Sequence, residues 1–280
     1  MPEPGAPADD VRAVVPALHP APEGPPVLSR LASRLVPFFG RLTVTADPDA
    51  RIEPGSIIVV NHTSLADPAL VLAALRRRLA VEPVLLAAAG LWRVPGLGAA
   101  LSRDGYVPVH RNTAHASAAL DGAAVALASG RPVMLYAEGR IPPRREAAEA
   151  PPQEFRTGLA RLARATGAPV VPVGQAGARR ITSGGTVKQL AGVLTAPVRR
   201  PCLHVHIGAP LRLPDDVPAA TALAHGAVTE AWRTAARALG EPAAGRAPGE
   251  TDPGEAACGR AAAGVRRWPV RGRGHRRTEA

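Results

Sequence analysis

The chain has 280 residues, 46% of them hydrophobic, and 34 Lys+Arg against 23 Asp+Glu for a net charge of +11. That length holds one large domain or two small ones, and that apolar content is enough for a real core, which excludes a chain unfolded throughout. Lys188 is the only lysine, so the positive surface is almost all guanidinium and suits phosphates and anionic membranes; eight aromatic residues with no RNP pattern set aside specific nucleic-acid binding.

Residues 1–26 carry eight prolines, a density that predicts a disordered lead. No basic region followed by an apolar core is present there, so a signal peptide is not expected. From Val27 the residues Leu28, Leu31, Leu35 and Phe38 recur at helical spacing, with Arg30 and Arg34 on other faces. This predicts a short basic amphipathic helix over 27–40, which either docks on the domain or lies in a membrane interface.

From 41 to 240 strand-like and helix-like segments alternate. Strands are predicted at 42–45, 56–60, 84–88, 105–109, 133–136, 170–173 and 203–207, and helices at 68–79, 113–128, 157–166 and 219–239. This pattern reads as a single α/β domain with a largely parallel central sheet flanked by helices. Pro172 falls inside one predicted strand and argues there for an edge, a bulge or a strand end. His204 and His206 mark one face of the last strand. After 240 the chain turns Gly/Ala/Pro/Arg-rich, and residues 241–280 read as a disordered basic tail, with an electrostatic tether to anionic lipid as the other reading.

Polar residues gather where strands end. The strand at 56–60 runs into Asn61-His62-Thr63-Ser64-Leu65-Ala66-Asp67. A histidine with a carboxylate in reach is suited to take a proton from a hydroxyl, because the carboxylate fixes the tautomer and stabilises the imidazolium. The competing reading is a helix start, with Asp67 as N-cap, Pro68 at the first helical position and Ser64 at a capping-box spacing. The strand at 105–109 releases His110 and Arg111, and that at 133–136 releases Glu138-Gly139-Arg140. A base, an arginine fork and an acid beside a flexible glycine would thus share one sheet edge, the usual place for ligands in open α/β sheets.

These residues resemble the glycerolipid acyltransferases typified by lysophosphatidate acyltransferases, over roughly 42–210. The four blocks of that family look like Asn61-His62-x-Ser64-x-x-Asp67, the strand ending in His110-Arg111, Tyr136-Ala137-Glu138-Gly139-Arg140, and Val171-Pro172-Val173. The resemblance implies His62 as general base, Asp67 as its orienting partner, and Asn61, Ser64, Arg111, Glu138, Gly139 and Arg140 as substrate-binding residues. It implies acyl transfer from acyl-CoA or acyl-carrier protein to a lysophospholipid, most simply lysophosphatidate, or to another glycolipid acceptor. Departures fall in the head-group blocks: Ala87-Ala88-Ala89 where a lysine is common, His110 where an acid usually precedes the arginine, Ala137 for proline, and Ile141-Pro142 at the end of block three. A non-catalytic lipid-surface protein of the same fold is the second reading.

Cys202 and Cys258 lie away from the motif and no Gly-x-Ser-x-Gly elbow occurs, so no acyl-enzyme is expected. No metal-ligand spacing is present, and neither metal nor cofactor is expected. Donors for the oxyanion are expected from backbone amides near Pro68 or from arginines. No apolar run approaches the ~18 residues of a spanning helix. The expected location is cytoplasmic, on the inner face of the cell membrane, with that anionic surface as a partner.

Overall fold

A computed structural model describes residues 26–110, 117–142 and 148–241. The described elements are α1 (Val27–Phe39), β1 (Arg41–Ala46), β2 (Ile57–Val60), α2 (Asp67–Leu79), β3 (Val84–Ala88), α3 (Leu97–Arg103), β4 (Val107–Val109), α4 (Ala118–Ala128), β5 (Val133–Tyr136), α5 (Gly158–Thr166), β6 (Val170–Ala176), α6 (Thr186–Arg199), β7 (Cys202–Ile207) and α7 (Val217–Ala238), with short 3₁₀ turns at Ala89–Arg93 and Ala178–Arg180. The predicted lead over 1–25, the tail from 242, the start of the helix predicted at 113–128, and Arg111 lie outside the described residues.

The strands form one seven-stranded sheet in the order β1-β7-β6-β2-β5-β3-β4. Every pairing from β6 to β4 is parallel; β7 runs antiparallel to β6 and parallel to β1. The fold is the expected α/β domain with a largely parallel sheet. β2 sits in the middle, and all four of its residues are buried. Its side chains alternate between two apolar layers, which is why the run reads as continuously hydrophobic. Ile58 and Val60 join Leu70, Leu75 and Val205 under α1, α2 and α3. Ile57 and Val59 join Leu159, Leu162 and Val228 under α4, α5 and α7.

Pro172 stands in an internal strand, not at an edge. It pairs with Val59 of β2, while the antiparallel ladder to β7 begins one residue later at Val173↔Ile207. Its carbonyl accepts from Gly208 N at 2.8 Å, so a residue without an N–H is tolerated at the step where pairing on the β7 side starts.

Helix α1 docks on the domain, and its amphipathic pattern is turned the other way from a simple core-facing helix. Ser29, Ala32 and Val36 are buried, whereas Leu31, Leu35 and Phe38 are exposed. Its first turn is held by Asp104, whose two carboxylate oxygens accept from Val27 N (2.8 Å) and Leu28 N (2.7 Å). A carboxylate at a helix N-terminus satisfies orphan amides and meets the positive end of the helix dipole. Helix α6 and the short α3 were not among the predicted helices. Among the described residues no helix is long and apolar enough to cross a membrane.

Candidate active site

Because β2, β4, β5 and β6 are mutually parallel, their carboxyl ends share one edge, as the sequence predicts. His62 follows the end of β2 and is nearly buried, its side chain 11% exposed. Its Nδ1 lies 2.9 Å from Asp67 Oδ2. A carboxylate only accepts, so Nδ1 carries the hydrogen and Nε2 keeps its lone pair, the arrangement a general base needs. The imidazole also stacks on Tyr136, with ring centroids 4.2 Å apart and planes 24° from parallel.

Asp67 faces back into the loop rather than along the helix. The same Oδ2 accepts from Thr63 N at 2.6 Å and Ser64 N at 2.9 Å. Asp67 is the first residue of α2, Ala66 is the N-cap and makes no side-chain cap, and Asp67 N donates to the Ser64 carbonyl rather than to Ser64 Oγ. The capping-box reading is therefore corrected: the aspartate binds the loop that carries the histidine, and the helix serves to hold the aspartate.

The residues around this pair fix the loop from three sides. Asn61, fully buried, clamps the β6 backbone: its Oδ1 accepts from Gln175 N at 2.8 Å, and its Nδ2 donates to Gln175 O at 3.1 Å. Glu138, buried at the end of β5, accepts from His62 N at 2.6 Å with one oxygen and from Gln153 N at 2.9 Å with the other. Burial pushes the Glu138 carboxyl above the usual carboxylate range, and these two amides work against that shift. Ser64 Oγ bonds the Thr182 hydroxyl and donates to Thr182 O at 3.1 Å.

In this structure the polar atoms of Asn61, Ser64 and Glu138 are thus taken up by protein groups, so where the resemblance has them touching substrate, the geometry has them positioning the histidine loop. Gly139 has φ of +74°, in the left-handed region, and a Cβ there would meet Arg156 Cγ at 3.3 Å. The turn that carries Glu138 into the site therefore needs a glycine. Arg140 is exposed beside it, and so is Arg156, whose stem lies over that glycine.

Four contributors escaped the sequence reading. Gln175 Nε2 donates to Thr63 Oγ1 at 3.0 Å, and Arg179 donates to Thr63 O at 3.1 Å from a buried position. Tyr136 supplies the ring under His62, and Arg156 flanks block three. The usable signal was a glutamine and an arginine in a stretch otherwise apolar, Val170 to Arg179, since buried polar groups are held by partners.

His110 ends β4, three strand spacings or about 14 Å from β2. A cavity of about 460 Å³ opens there, lined by Ala88, Ala89, Gly90, Trp92, Arg93 and His110. The loop beginning at Leu91 is packed through Trp92, whose indole N–H bonds Ser102 Oγ at 3.0 Å, while Leu91 and Val94 face outward. His204 and His206 do share a face of β7, where both rings bond Thr45 Oγ1 at 2.9 Å. Among the described residues no group of three or more His, Cys, Asp or Glu is gathered to hold a metal ion.

Residues 41–175 match the model of the Acyltransferase family. This domain belongs to the acyltransferase family. The resemblance read from the four sequence blocks is borne out, and the chain is an acyltransferase by that membership. Among solved structures it is similar to the 1-acyl-sn-glycerophosphate (LPA) acyltransferase PlsC from Thermotoga maritima, with a TM-score of 0.57 and 19% identity, covering 74% of this chain and 77% of that one. No curated protein matches the sequence.

Proposed function

We propose that this acyltransferase moves a fatty acyl group from an acyl thioester, acyl-CoA or acyl-carrier protein, to the hydroxyl of a lysophospholipid, most simply lysophosphatidate to give phosphatidate. The observation that carries the reading is a histidine held by an aspartate through Nδ1, with Nε2 free to act, at the carboxyl edge of a parallel sheet. The similar protein from Thermotoga maritima is an LPA acyltransferase, which supports the choice of acceptor.

In this mechanism His62 Nε2 removes the acceptor's hydroxyl proton as that oxygen attacks the thioester carbonyl. The tetrahedral adduct collapses with loss of the thiolate, which takes the proton back from the imidazolium. Asp67 supports the charge that the ring carries between the two transfers. Donor and acceptor are bound together, and no residue of the chain is acylated. Arg111, Arg140 and the Gly139 turn, with Arg156, grip the acceptor's anionic head group, and the reaction uses neither metal nor prosthetic group. The acceptor comes from an anionic membrane surface, with the protein at the inner face of the cell membrane.

The test is thiol release from acyl-CoA with lysophosphatidate as acceptor. His62→Ala is expected to lower kcat/KM by about 10²–10⁴ with unchanged circular dichroism, the usual range for losing a general base. Wild type and variant equally inactive over a panel of thioesters and acceptors would overturn it.

A further inference from the structure

Helix α6 has one buried residue, Ala196, in 14. Val187, Leu190, Leu194 and Val198 are 84%, 60%, 69% and 88% exposed. Their spacing of three, four and four puts all four on one side of a helix about 21 Å long. A row of large apolar side chains turned to water is costly unless something covers it, and contiguous patches of this kind mark interaction sites. The neighbouring α1 shows the same feature, since its large apolar residues Leu31, Leu35 and Phe38 are exposed. The two helices are tied where they end: Arg200, the C-cap of α6, donates to Pro37 O at 3.2 Å.

We propose that α6, continued by α1, is an interfacial docking face that lies flat on an anionic lipid surface. Charge selects this occupant. Neither helix contains an acid, and the cations on them or at their ends are Arg30, Arg34, Lys188, Arg199 and Arg200, all exposed. Basic residues flanking an apolar stripe match a sheet of lipid phosphates over acyl chains. On the flank of α6 a cavity of about 380 Å³ is lined by Arg180, Ser183, Lys188, Thr195 and Arg199, among others; Arg180 is paired with Glu241 and Arg199 donates to the Arg180 and Gly192 carbonyls, so what this flank offers a lipid phosphate is positive charge rather than a preformed set of donors. A second copy of the chain would set these cations against their own like, and like charges across an interface repel.

The position of α6 explains what docking accomplishes. Thr182, just ahead of the helix, bonds Ser64, two residues from His62, and Leu65 beside them is itself exposed. Gly192 lies so close to Ile181 that a Cβ would fall 2.3 Å from its carbonyl oxygen, which seats α6 on that same segment. A lipid surface against α6 and α1 is therefore a surface against the edge of the histidine loop. This inference deepens the membrane part of the proposed function by naming the face, and binding is measured without donor or acceptor, so its failure is separate from any failure of acyl transfer.

The experiment is co-sedimentation of the full chain with phosphatidylcholine vesicles, with and without phosphatidylglycerol. Wild type is expected on the anionic vesicles. Leu190→Glu with Leu194→Glu is expected to bind at least about tenfold more weakly, the scale of removing one large apolar side chain from an interface, with an unchanged melting temperature because both positions are exposed. Leu190→Ala with Leu194→Ala introduces no charge and is expected to lose binding to a lesser degree. The proposal is overturned if wild type stays in solution. It is equally overturned if both double variants bind as wild type does, which would assign binding to charge elsewhere on the chain, or if wild type is a dimer in solution that the variants dissociate.

Discussion

One oxygen of Asp67 serves the histidine ring and two loop amides at once, so different substitutions there separate catalysis from folding. In Asp67→Asn the side-chain oxygen takes the place of Oδ2 and still accepts from the Thr63 and Ser64 amides and from His62 Nδ1, while the amide nitrogen takes the place of Oδ1 and the negative charge is lost. Without the carboxylate's charge the imidazolium that forms on proton abstraction is no longer stabilised, so His62 becomes a weaker base in the same orientation. Asp67→Asn is expected to lower kcat by about 10²–10⁴ with little change in unfolding. Asp67→Ala leaves two buried amides without their acceptor and is expected to cost a further 1–3 kcal/mol or so of stability by urea denaturation. Equal loss of stability in the two variants would refute this division of labour. At this scale the His62–Asp67 pair was legible in the sequence because Asn61, His62, Ser64 and Asp67 lie within seven residues. Gln175 and Arg179 were not, because they reach the same loop from β6 and the 3₁₀ turn after it, and only folding brings them to it.

Elements with regular burial were readable, and those without were missed. β3 and β5 begin and end where the hydrophobic runs do, because a strand covered on both faces has no polar interruptions. α6 was not recognised because Gly192 and Pro197 lower its helix propensity and interrupt the run, although Val187, Leu190, Leu194 and Val198 recur at helical spacing. The contact of α7 with β6 was equally invisible, and it rests on one glycine. A Cβ on Gly174 would lie 2.0 Å from Ala231 C and 2.1 Å from Trp232 N, both backbone atoms of α7. No rotamer change relieves such a clash, so the helix must move off the sheet. Gly174→Ala is expected to destabilise the protein by about 3 kcal/mol in urea, at or above the upper end of ordinary overpacking, and to lower activity as well, because Gln175 anchors Asn61. A variant as stable as wild type would show that α7 is less firmly seated on β6 than these distances imply.

Across the whole molecule, two partly or fully buried groups bend the stability in opposite directions with pH. The Glu149 carboxyl joins three parts of the fold: it accepts from Gly177 N, just past β6, at 2.8 Å and from the Trp232 indole of α7 at 3.4 Å. Burial is the main reason its pKa is pushed from 4.5 up to about 7, with those two donors opposing. The folded protein therefore binds this proton more tightly than the unfolded chain, so the contribution is full below pH 4.5 and is lost as pH rises through 7. His204, desolvated and beside His206, is lowered from 6.5 to about 4, so its contribution is full above pH 6.5 and is lost as pH falls through 4. Between pH 4.5 and 6.5 the two slopes cancel. Glu149→Gln keeps an oxygen for Gly177 and removes the titration, leaving the histidine slope unopposed. The stability difference between variant and wild type is expected to grow with pH by about 1.4 kcal/mol per unit, reaching about 2–3 kcal/mol by pH 8. Urea denaturation of both proteins at pH 4.5, 6 and 8 measures it, and a difference that stays constant over this range would mean that Glu149 titrates alike in the folded and unfolded chains.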